Sequence, residues 1–142
     1  MSEPRGEIRI LFVCIGNSCR SQMAEGWAKA MGGDRVEIYS AGSYPAGFVA
    51  DGSTVVMQEV GISLADHHSK GLKDVPQGPY DAVVTMGCGD ACPWIPANQR
   101  FDWNIEDPIG MPIEMYRETR DFIRGKVEEL LKTLRVMEEA TT

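Results

Sequence analysis

The sequence lacks a long apolar segment, and basic residues are few. Its 142 residues include 14 Lys and Arg against 21 Asp and Glu, which gives a formal net charge of −7. The apolar run that ends at Val13 is too short for a membrane span or a secretion signal, so we expect a cytoplasmic protein without a membrane partner. Nucleic-acid surfaces gather Lys and Arg on one face, and the scarcity of basic clusters argues against nucleic acid as a partner.

Cysteine is also scarce, with four residues in the chain. Cys14 and Cys19 share one predicted turn, and Cys88 and Cys92 share another. Disulfide frameworks are typical of small secreted domains without a core, whereas a chain of this length with 43% hydrophobic residues can bury one. We therefore expect a single domain over residues 1–142, with reduced thiols that form a functional site.

A metal centre at the second cysteine pair is disfavoured. Zinc bound by Cys88 and Cys92 would need two further ligands, and the only imidazoles in the sequence are those of His67 and His68. Both histidines are interpreted as surface loop residues without a role. We therefore expect neither a metal ion nor a cofactor.

Apolar periodicity and turn residues predict strands that alternate with helices. Strands are predicted at residues 7–13, 36–40 and 81–86, with a further short strand at 100–103. Helices are predicted from residue 20 to 32, over 53–60 and from 113 to 134. This alternation is typical of a three-layer α/β fold with a central parallel sheet of about four strands and helices on both faces. Ligands bind such sheets at the carboxyl ends of the strands, where both cysteine turns lie.

The first cysteine turn has the pattern Cys-x5-Arg-Ser, from Cys14 to Ser21, between a predicted strand and helix. A short loop with glycine and asparagine can direct its backbone N–H groups inward at a helix N-terminus, which makes a nest for a tetrahedral anion. Arg20 would clamp the anion bidentately, and the same field would favour the thiolate of Cys14 as a nucleophile. Ser21 can donate to the sulfur. The other loop residues expected to bind the anion are Ile15, Gly16, Asn17, Ser18 and Cys19.

A thiol attack on such an anion also needs a proton for the departing oxygen. Asp107, held in a loop by Pro108, is the best carboxylate candidate, and the residues alone leave Asp102 and Glu106 open. In a plainer interpretation the loop cysteine ends a buried strand and the loop arginine is a solvated charge. The strand, loop and helix context weighs against that interpretation.

The string VCIGNSCRSQMAEGW at 13–27 resembles the low-molecular-weight protein tyrosine phosphatase superfamily, and within it the thioredoxin-coupled arsenate reductases. The similarity covers nearly the whole chain, through SAG at 40–42, VVTMGCGDACP at 83–93 and the late Asp107-Pro108. It implies the phosphatase-like fold. It also implies Cys14 as the nucleophile, Arg20 as the oxyanion clamp and Asp107 as the proton donor.

The reductases differ from the phosphatases by two further cysteines, which Cys88 and Cys92 match in position. The resemblance implies that Cys14 forms a covalent adduct with arsenate and that Cys88 attacks the Cys14 sulfur as arsenite leaves. Cys92 then takes over the disulfide, which an external reductant opens. Thioredoxin is the preferred reductant, and glutaredoxin or a low-molecular-weight thiol stays open. Cys19 matches a family position, but no step requires it.

Two rival interpretations remain. One is a phosphatase of the same fold that acts on phosphotyrosine or small phosphate esters, although Ile109 and Gly110 stand where phosphatases carry an aromatic pair. The other is an oxyanion sensor that keeps the loop without turnover. Some relatives bind potassium near the loop, but Lys70 stands here in place of an acidic residue, so no metal site is predicted.

Overall fold

The computed structural model describes residues 8–87 and 94–136. Within them, four strands form one sheet in which every neighbouring pair is parallel, in the order β2-β1-β3-β4. The strands are β1 (Ile8–Cys14), β2 (Val36–Gly42), β3 (Tyr80–Thr85) and β4 (Ala97–Asp102). The predicted parallel sheet of a three-layer α/β fold is confirmed.

The last strand begins earlier than the sequence indicated. β4 starts at Ala97, which pairs with Tyr80, whereas the predicted strand covered residues 100–103. Its first half is polar and largely exposed because β4 is an edge strand with a partner on one side only. The start of β4 therefore shows little of the apolar alternation on which sequence prediction depends.

Three helices complete the described fold: α1 (Arg20–Gly32), α2 (Asp51–Glu59) and α3 (Ile113–Thr133). α1 ends where Gly33 takes a φ of +56°, a conformation that glycine adopts without a steric penalty. α2 begins two residues before the predicted start at Ser53, and Asp51 places a negative charge in its first turn. No helix within the described ranges is long and apolar enough to cross a membrane.

β1 lies at the centre of the core because its side chains are apolar on both faces of the sheet. Ile10 and Phe12 pack with the three helices, and Leu11 and Val13 pack on the opposite face. That face is covered in part by the single-turn 3₁₀ helix Leu72–Asp74 and the residues around it. A continuous apolar run is what a central parallel strand requires. The carboxyl end of β1 is thereby fixed at Cys14.

Candidate active site

The loop between β1 and α1 is held from outside by the segment that follows β2. Four of its carbonyl oxygens accept backbone N–H groups from residues 43–50, at N···O distances between 2.8 and 3.1 Å. The pairs are Cys14 O with Ser43 N, Ile15 O with Tyr44 N, Gly16 O with Ala46 N, and Ser18 O with Ala50 N. Because the N–H of a peptide unit points opposite to its C=O, the N–H groups of these units point into the loop.

Asn17 shows this inward direction. Its backbone N–H lies 3.2 Å from the sulfur of Cys14. Its φ of +50° is a left-handed conformation that asparagine tolerates better than most residues. α1 begins at Arg20 directly after the loop, so the N–H groups of its first turn add positive potential at the same place. The backbone geometry is that of an anion nest.

The guanidinium of Arg20 is buried and is held from one side. Its Nη1 donates to the carbonyl oxygens of Met86, at 2.6 Å, and Ile105, at 3.0 Å. Its Nη2 lies 3.5 Å from a carboxylate oxygen of Asp107. Its buried Nε has no hydrogen-bond partner in the described part of the chain. Because Nε and Nη2 together form an edge that can bind an oxyanion bidentately, Arg20 is held ready for such a ligand.

The hydroxyl of Ser21 lies 2.9 Å from the sulfur of Cys14, and its neighbours decide which of the two donates. The backbone N–H of Lys70 donates to Asn17 Oδ1 at 2.9 Å, which fixes the orientation of the Asn17 amide. Asn17 Nδ2 then donates to Ser21 Oγ at 2.8 Å. Because that oxygen accepts from Asn17, its own hydrogen can point to the sulfur. When Cys14 is a thiolate, Ser21 is the donor of the pair, and this arrangement stabilises the thiolate.

Asp107 is the carboxylate that approaches Arg20. Its side chain is 39% exposed, and its second oxygen accepts the N–H of Ile109 at 3.1 Å. Asp102 ends β4 and accepts a hydrogen bond from a threonine hydroxyl, and Glu106 is exposed. Among the salt bridges of the described residues, neither of these two carboxylates pairs with Arg20. The geometry therefore favours Asp107 of the three candidate proton donors.

A second polar cluster surrounds the buried carboxylate of Glu25. Ser40 donates to one oxygen at 2.6 Å, and the Lys29 ammonium lies 2.6 Å from the other. The Lys70 ammonium lies 3.3 Å from Ser40 Oγ and 4.0 Å from Glu25. Burial raises the pKa of Glu25, but hydrogen bonds from Lys29 and Ser40 outweigh it, so the pKa lies below its ordinary value. Residues 8–87 and 94–136 contain no group of three or more His, Cys, Asp or Glu side chains suited to a metal ion.

Cys19 has a protonated thiol. Its side chain is buried, and burial raises the pKa of its thiol to about 11. A thiol with that pKa stays protonated near neutral pH and is a poor nucleophile. The structure therefore offers no chemical role for the Cys19 thiol, although its backbone belongs to the anion loop.

The prediction that both histidines are surface residues is wrong for His67. Its side chain is 9% exposed, and its Nδ1 lies 2.9 Å from Oε1 of Gln22, which is fully buried. His68 is exposed, and only its carbonyl oxygen takes part, by accepting from Gln22. The local sequence is polar and without periodicity, so nothing in it distinguishes the two histidines. Sequence reasoning missed Gln22 for a similar reason, because a glutamine in the first turn of a helix is usually exposed.

Cys88 and Cys92, the predicted relay cysteines, lie outside the described residues. The last residue before them that is described is Gly87, with a φ of +87°. A Cβ atom at Gly87 would come within 2.7 Å of Arg20 Nη1 and 2.9 Å of the Ile105 carbonyl oxygen. The chain therefore passes directly alongside the Arg20 guanidinium as it leaves β3.

Comparison with known proteins agrees with this geometry. The sequence matches the family described as low molecular weight phosphotyrosine protein phosphatase over residues 9–140. The glutaredoxin arsenate reductase of Synechocystis sp. is 36% identical over 126 residues, which cover 87% of this chain and 95% of that protein.

Two solved structures extend the comparison. One is described as an arsenate reductase in the phosphate binding state, with a TM-score of 0.81 at 34% identity, covering 89% of this chain and 98% of that chain. The other is a thioredoxin-dependent arsenate reductase of Corynebacterium glutamicum, with a TM-score of 0.75 at 32% identity, covering 92% of this chain and 63% of that chain.

The anion loop on a four-stranded parallel sheet and the family match together define the class. The chain belongs to the low molecular weight phosphotyrosine protein phosphatase family. Within that family its relatives group it with the arsenate reductases, so the predicted resemblance and the prediction of an enzyme of this type are confirmed.

Proposed function

We propose that this chain reduces arsenate to arsenite and that Cys14 attacks the arsenic atom. The guanidinium of Arg20 carries the proposal, because its buried Nε lacks a partner among the described residues. A tetrahedral oxyanion fits both this edge and the inward N–H groups of the loop. The relatives named as arsenate reductases support arsenate as that oxyanion.

In the first step, the thiolate of Cys14 forms a bond to arsenic and displaces a hydroxyl of arsenate. Asp107 protonates that hydroxyl, which leaves as water. The Ser21 hydroxyl and the Asn17 N–H, at 2.9 and 3.2 Å from the sulfur, stabilise the thiolate before the attack. Arg20 and the loop N–H groups hold the remaining oxygens. Arsenic is still As(V) in the adduct, so no electrons have been transferred.

In the next steps, the electrons come from Cys88 and Cys92. The Cys88 thiolate attacks the sulfur of Cys14, the sulfur–arsenic bond breaks, and its electron pair stays on arsenic, which leaves as As(III) in arsenite. The Cys92 thiolate then attacks the Cys88 sulfur, which releases the Cys14 thiolate and leaves a Cys88–Cys92 disulfide. Each turnover thus moves two electrons from a pair of thiols to arsenic.

An external dithiol must reopen the Cys88–Cys92 disulfide, and we propose thioredoxin as the preferred one. One solved relative is named as thioredoxin-dependent, whereas one curated relative is named for glutaredoxin. Thioredoxin and glutaredoxin would both react through a mixed disulfide with this protein. The rate of turnover, rather than the type of reaction, therefore distinguishes the two reductants. Such reductants keep thiols reduced in the cytoplasm, where we propose that the protein acts.

A coupled assay tests this proposal. NADPH oxidation is followed with arsenate in two arms, one with thioredoxin and its reductase, the other with glutaredoxin, glutathione and glutathione reductase. We expect the wild type to consume NADPH fastest in the thioredoxin arm, and the Cys88→Ser and Cys92→Ala variants to stay at background in both. No consumption by the wild type in either arm, or normal turnover by Cys88→Ser, contradicts the reductase. Faster wild-type turnover with glutaredoxin contradicts only the thioredoxin preference.

Hydrolysis of aryl phosphate esters is a second candidate activity. It is favoured by exposed apolar side chains on the anion loop and on the segment bonded to it, which we call the rim. Ile15 lies in the anion loop, and Tyr44 and Phe48 lie on the segment bonded to it, with exposed fractions of 38%, 81% and 53%. An inorganic ion needs no such rim, whereas a phenyl ring would pack against it. Wild type and Cys88→Ser should hydrolyse para-nitrophenyl phosphate, and Phe48→Ala should do so with a higher KM. No hydrolysis by the wild type excludes this activity.

A further inference from the structure

Within residues 8–87 and 94–136, the Cys14 sulfur has two polar contacts, and both depend on Asn17. Its backbone N–H donates to the sulfur at 3.2 Å, and its side-chain nitrogen donates to Ser21 Oγ, which lies 2.9 Å from the same sulfur. Asn17 also has a left-handed backbone, with a φ of +50°. A non-glycine residue in that conformation needs support from its surroundings. The contacts that fix the conformation of Asn17 therefore also affect the Cys14 sulfur.

Gln22 supplies that support, and its amide can face in one direction only. Its Nε2 lies 3.0 Å from Asn17 Oδ1, 3.2 Å from the Asn17 carbonyl oxygen and 3.0 Å from the His68 carbonyl oxygen. Asn17 Oδ1 is certainly an acceptor, because the backbone N–H of Lys70 also donates to it. The reversed amide would set an oxygen against three oxygens. The Gln22 Oε1 atom therefore faces away from Asn17.

That oxygen meets His67, whose Nδ1 lies 2.9 Å away. Because Gln22 Oε1 can only accept, Nδ1 of His67 must carry a hydrogen. Burial lowers the pKa of His67, which favours the neutral ring, and the contact with Gln22 assigns the hydrogen of that ring to Nδ1. The protonated ring would also donate from Nδ1, so the contact does not depend on the titration of His67. Without His67, the fully buried Gln22 would have an acceptor without its partner.

We propose that His67 is a positioning residue for Cys14, which it never touches, because its Nδ1–H fixes Gln22, and Gln22 fixes Asn17. The chain of contacts runs from His67 through Gln22, Asn17 and Ser21 to the sulfur. Every donor in it points towards Cys14, so each hydrogen bond polarises the next. The effect on turnover rests on the proposed reductase activity, whereas the effect on the Cys14 thiol does not.

The charged groups around both ends of this chain are unchanged by substitution of His67. Around the anion loop they are Arg20 and Asp107, together with the titratable thiol of Cys19. Around the His67 ring they are Glu25, Lys29, Lys70 and Asp66. A matched pair of variants therefore isolates the Nδ1–H donor from the local charge.

The test compares His67→Asn with His67→Leu. The two side chains have nearly the same shape, but the nitrogen of asparagine occupies the position of Nδ1 and can donate, whereas leucine cannot. His68→Leu is the control, because the His68 side chain is exposed and contributes only its carbonyl oxygen to the chain of contacts. The readout is the rate of Cys14 alkylation by iodoacetamide between pH 5 and 9, with peptide mass spectrometry to separate Cys14 from the other cysteines.

We expect the pH of half-maximal alkylation to rise by about half a unit in His67→Leu, the size expected when one hydrogen bond in a network to a thiolate is weakened. His67→Asn and His68→Leu should stay within about 0.2 units of the wild type. An unshifted His67→Leu overturns the proposal. Equal shifts in His67→Leu and His67→Asn also overturn it, because the ring rather than the donor would then matter.

If His67→Leu does not fold, Gln22→Met tests the same contact between His67 and Gln22 by changing the other residue. Methionine has nearly the volume of glutamine but neither accepts from His67 nor donates to Asn17, so the same upward shift is expected. An unshifted Gln22→Met overturns the proposal. The alkylation result stands even if the wild type fails to reduce arsenate, which would contradict the proposed function alone.

Discussion

The anion loop has two sides that differ in how completely their polar atoms are paired. Within the described residues, three buried side-chain atoms have no hydrogen-bond partner: Ser18 Oγ, Arg20 Nε and Ser43 Oγ. Two belong to the loop itself, and the third belongs to the residue whose N–H binds the Cys14 carbonyl oxygen. We call this unpaired set the open side. The paired side consists of Asn17, Ser21, Gln22, Ser40 and Glu25, whose polar side chains all have partners.

The difference in pairing suggests that the open side binds the ligand and that the paired side positions the loop. A buried polar atom without a partner costs about 1–3 kcal/mol, and a ligand that supplied a partner to any of these three atoms would remove that cost. The paired side carries no such penalty and can hold the loop in its strained conformation before the ligand arrives. Substitutions on the open side should therefore impair chemistry with little effect on folding. Substitutions on the paired side should lower stability, and those in the chain of contacts to the Cys14 sulfur should also change its reactivity.

The largest effect is expected from Cys14→Ser, which removes the nucleophile between the two sides. Serine is slightly smaller and lacks the thiolate, so arsenate reduction should fall by at least about a thousandfold. Phosphate ester hydrolysis should fall with it, because both reactions use the same sulfur. NADPH oxidation and para-nitrophenyl phosphate hydrolysis measure the two losses. A Tm close to that of the wild type would show that the fold is kept, and activity of either kind above background would contradict the assignment of Cys14.

Arg20→Lys breaks the open side with the positive charge retained. Lysine has no planar edge with two parallel donors, so we expect kcat/KM for arsenate to fall by about a hundredfold. The same variant should lose most of the rise in Tm that millimolar phosphate gives the wild type, because a bound ligand stabilises the folded state. Differential scanning fluorimetry with and without phosphate measures this. An unchanged phosphate response would mean that Arg20 is not the oxyanion clamp.

Gly87→Ala perturbs the open side without removing any functional group. The added Cβ would lie 2.7 Å from Arg20 Nη1 and 2.9 Å from the Ile105 carbonyl oxygen, at a φ of +87°. The Arg20 guanidinium must shift, so we expect kcat/KM for arsenate to fall by about tenfold, as is usual when a catalytic group is misplaced by a fraction of an ångström. Gly110→Ala is the control, because its φ is also positive, at +78°, but no atom lies within 4 Å of its Cβ position. Equal losses of activity in both variants would contradict the explanation through Arg20.

Glu25→Gln tests the paired side and should affect activity least. The pKa of Glu25 is lowered in the folded protein, so its charge stabilises the fold fully above the ordinary pKa of 4.5 and the stabilisation is lost as pH falls through the lowered pKa. The wild-type Tm should therefore decrease as the pH falls below about 5, and the decrease should be smaller in Glu25→Gln. At pH 7 the variant should melt several degrees lower, by about 4 °C or more, because Lys29 and Lys70 lose a charged partner. Parallel Tm curves for the two proteins would contradict this role of Glu25.

The sequence predicted the residues of the anion loop better than the residues that support the loop from outside. The positions of Cys14 and Arg20 follow from a short sequence pattern between a strand and a helix. Such a pattern can be recognised without knowledge of the tertiary structure. The support for Asn17 comes instead from Lys70, 53 residues away in the chain, and from Gln22, whose amide contacts His67, 45 residues further along. No periodicity or spacing signals such contacts. This is why His67 was predicted to be a surface residue and Gln22 was overlooked.

The strands show the same contrast between local sequence patterns and long-range contacts. Strands with apolar side chains on both faces, such as β1, were predicted nearly to the residue, because burial on both sides leaves a continuous apolar run. The edge strand β4 was placed three residues late, because its start is polar and its pairing with β3 is a long-range contact. The choice of Asp107 over its neighbours likewise depends on a contact with Arg20, which is far from it in the chain.

A single-turnover experiment tests the central claim, that Cys14 binds arsenic covalently and that Cys88 and Cys92 supply the two electrons that reduce it. Reduced enzyme, freed of external thiols, is mixed with excess arsenate, quenched by alkylation, and analysed for arsenite and for disulfides by mass spectrometry. The account predicts about one arsenite per chain with a Cys88–Cys92 disulfide in the wild type, and a Cys14–Cys88 disulfide in Cys92→Ala. Absence of arsenite, or a disulfide that includes Cys19 in place of Cys88, would contradict it.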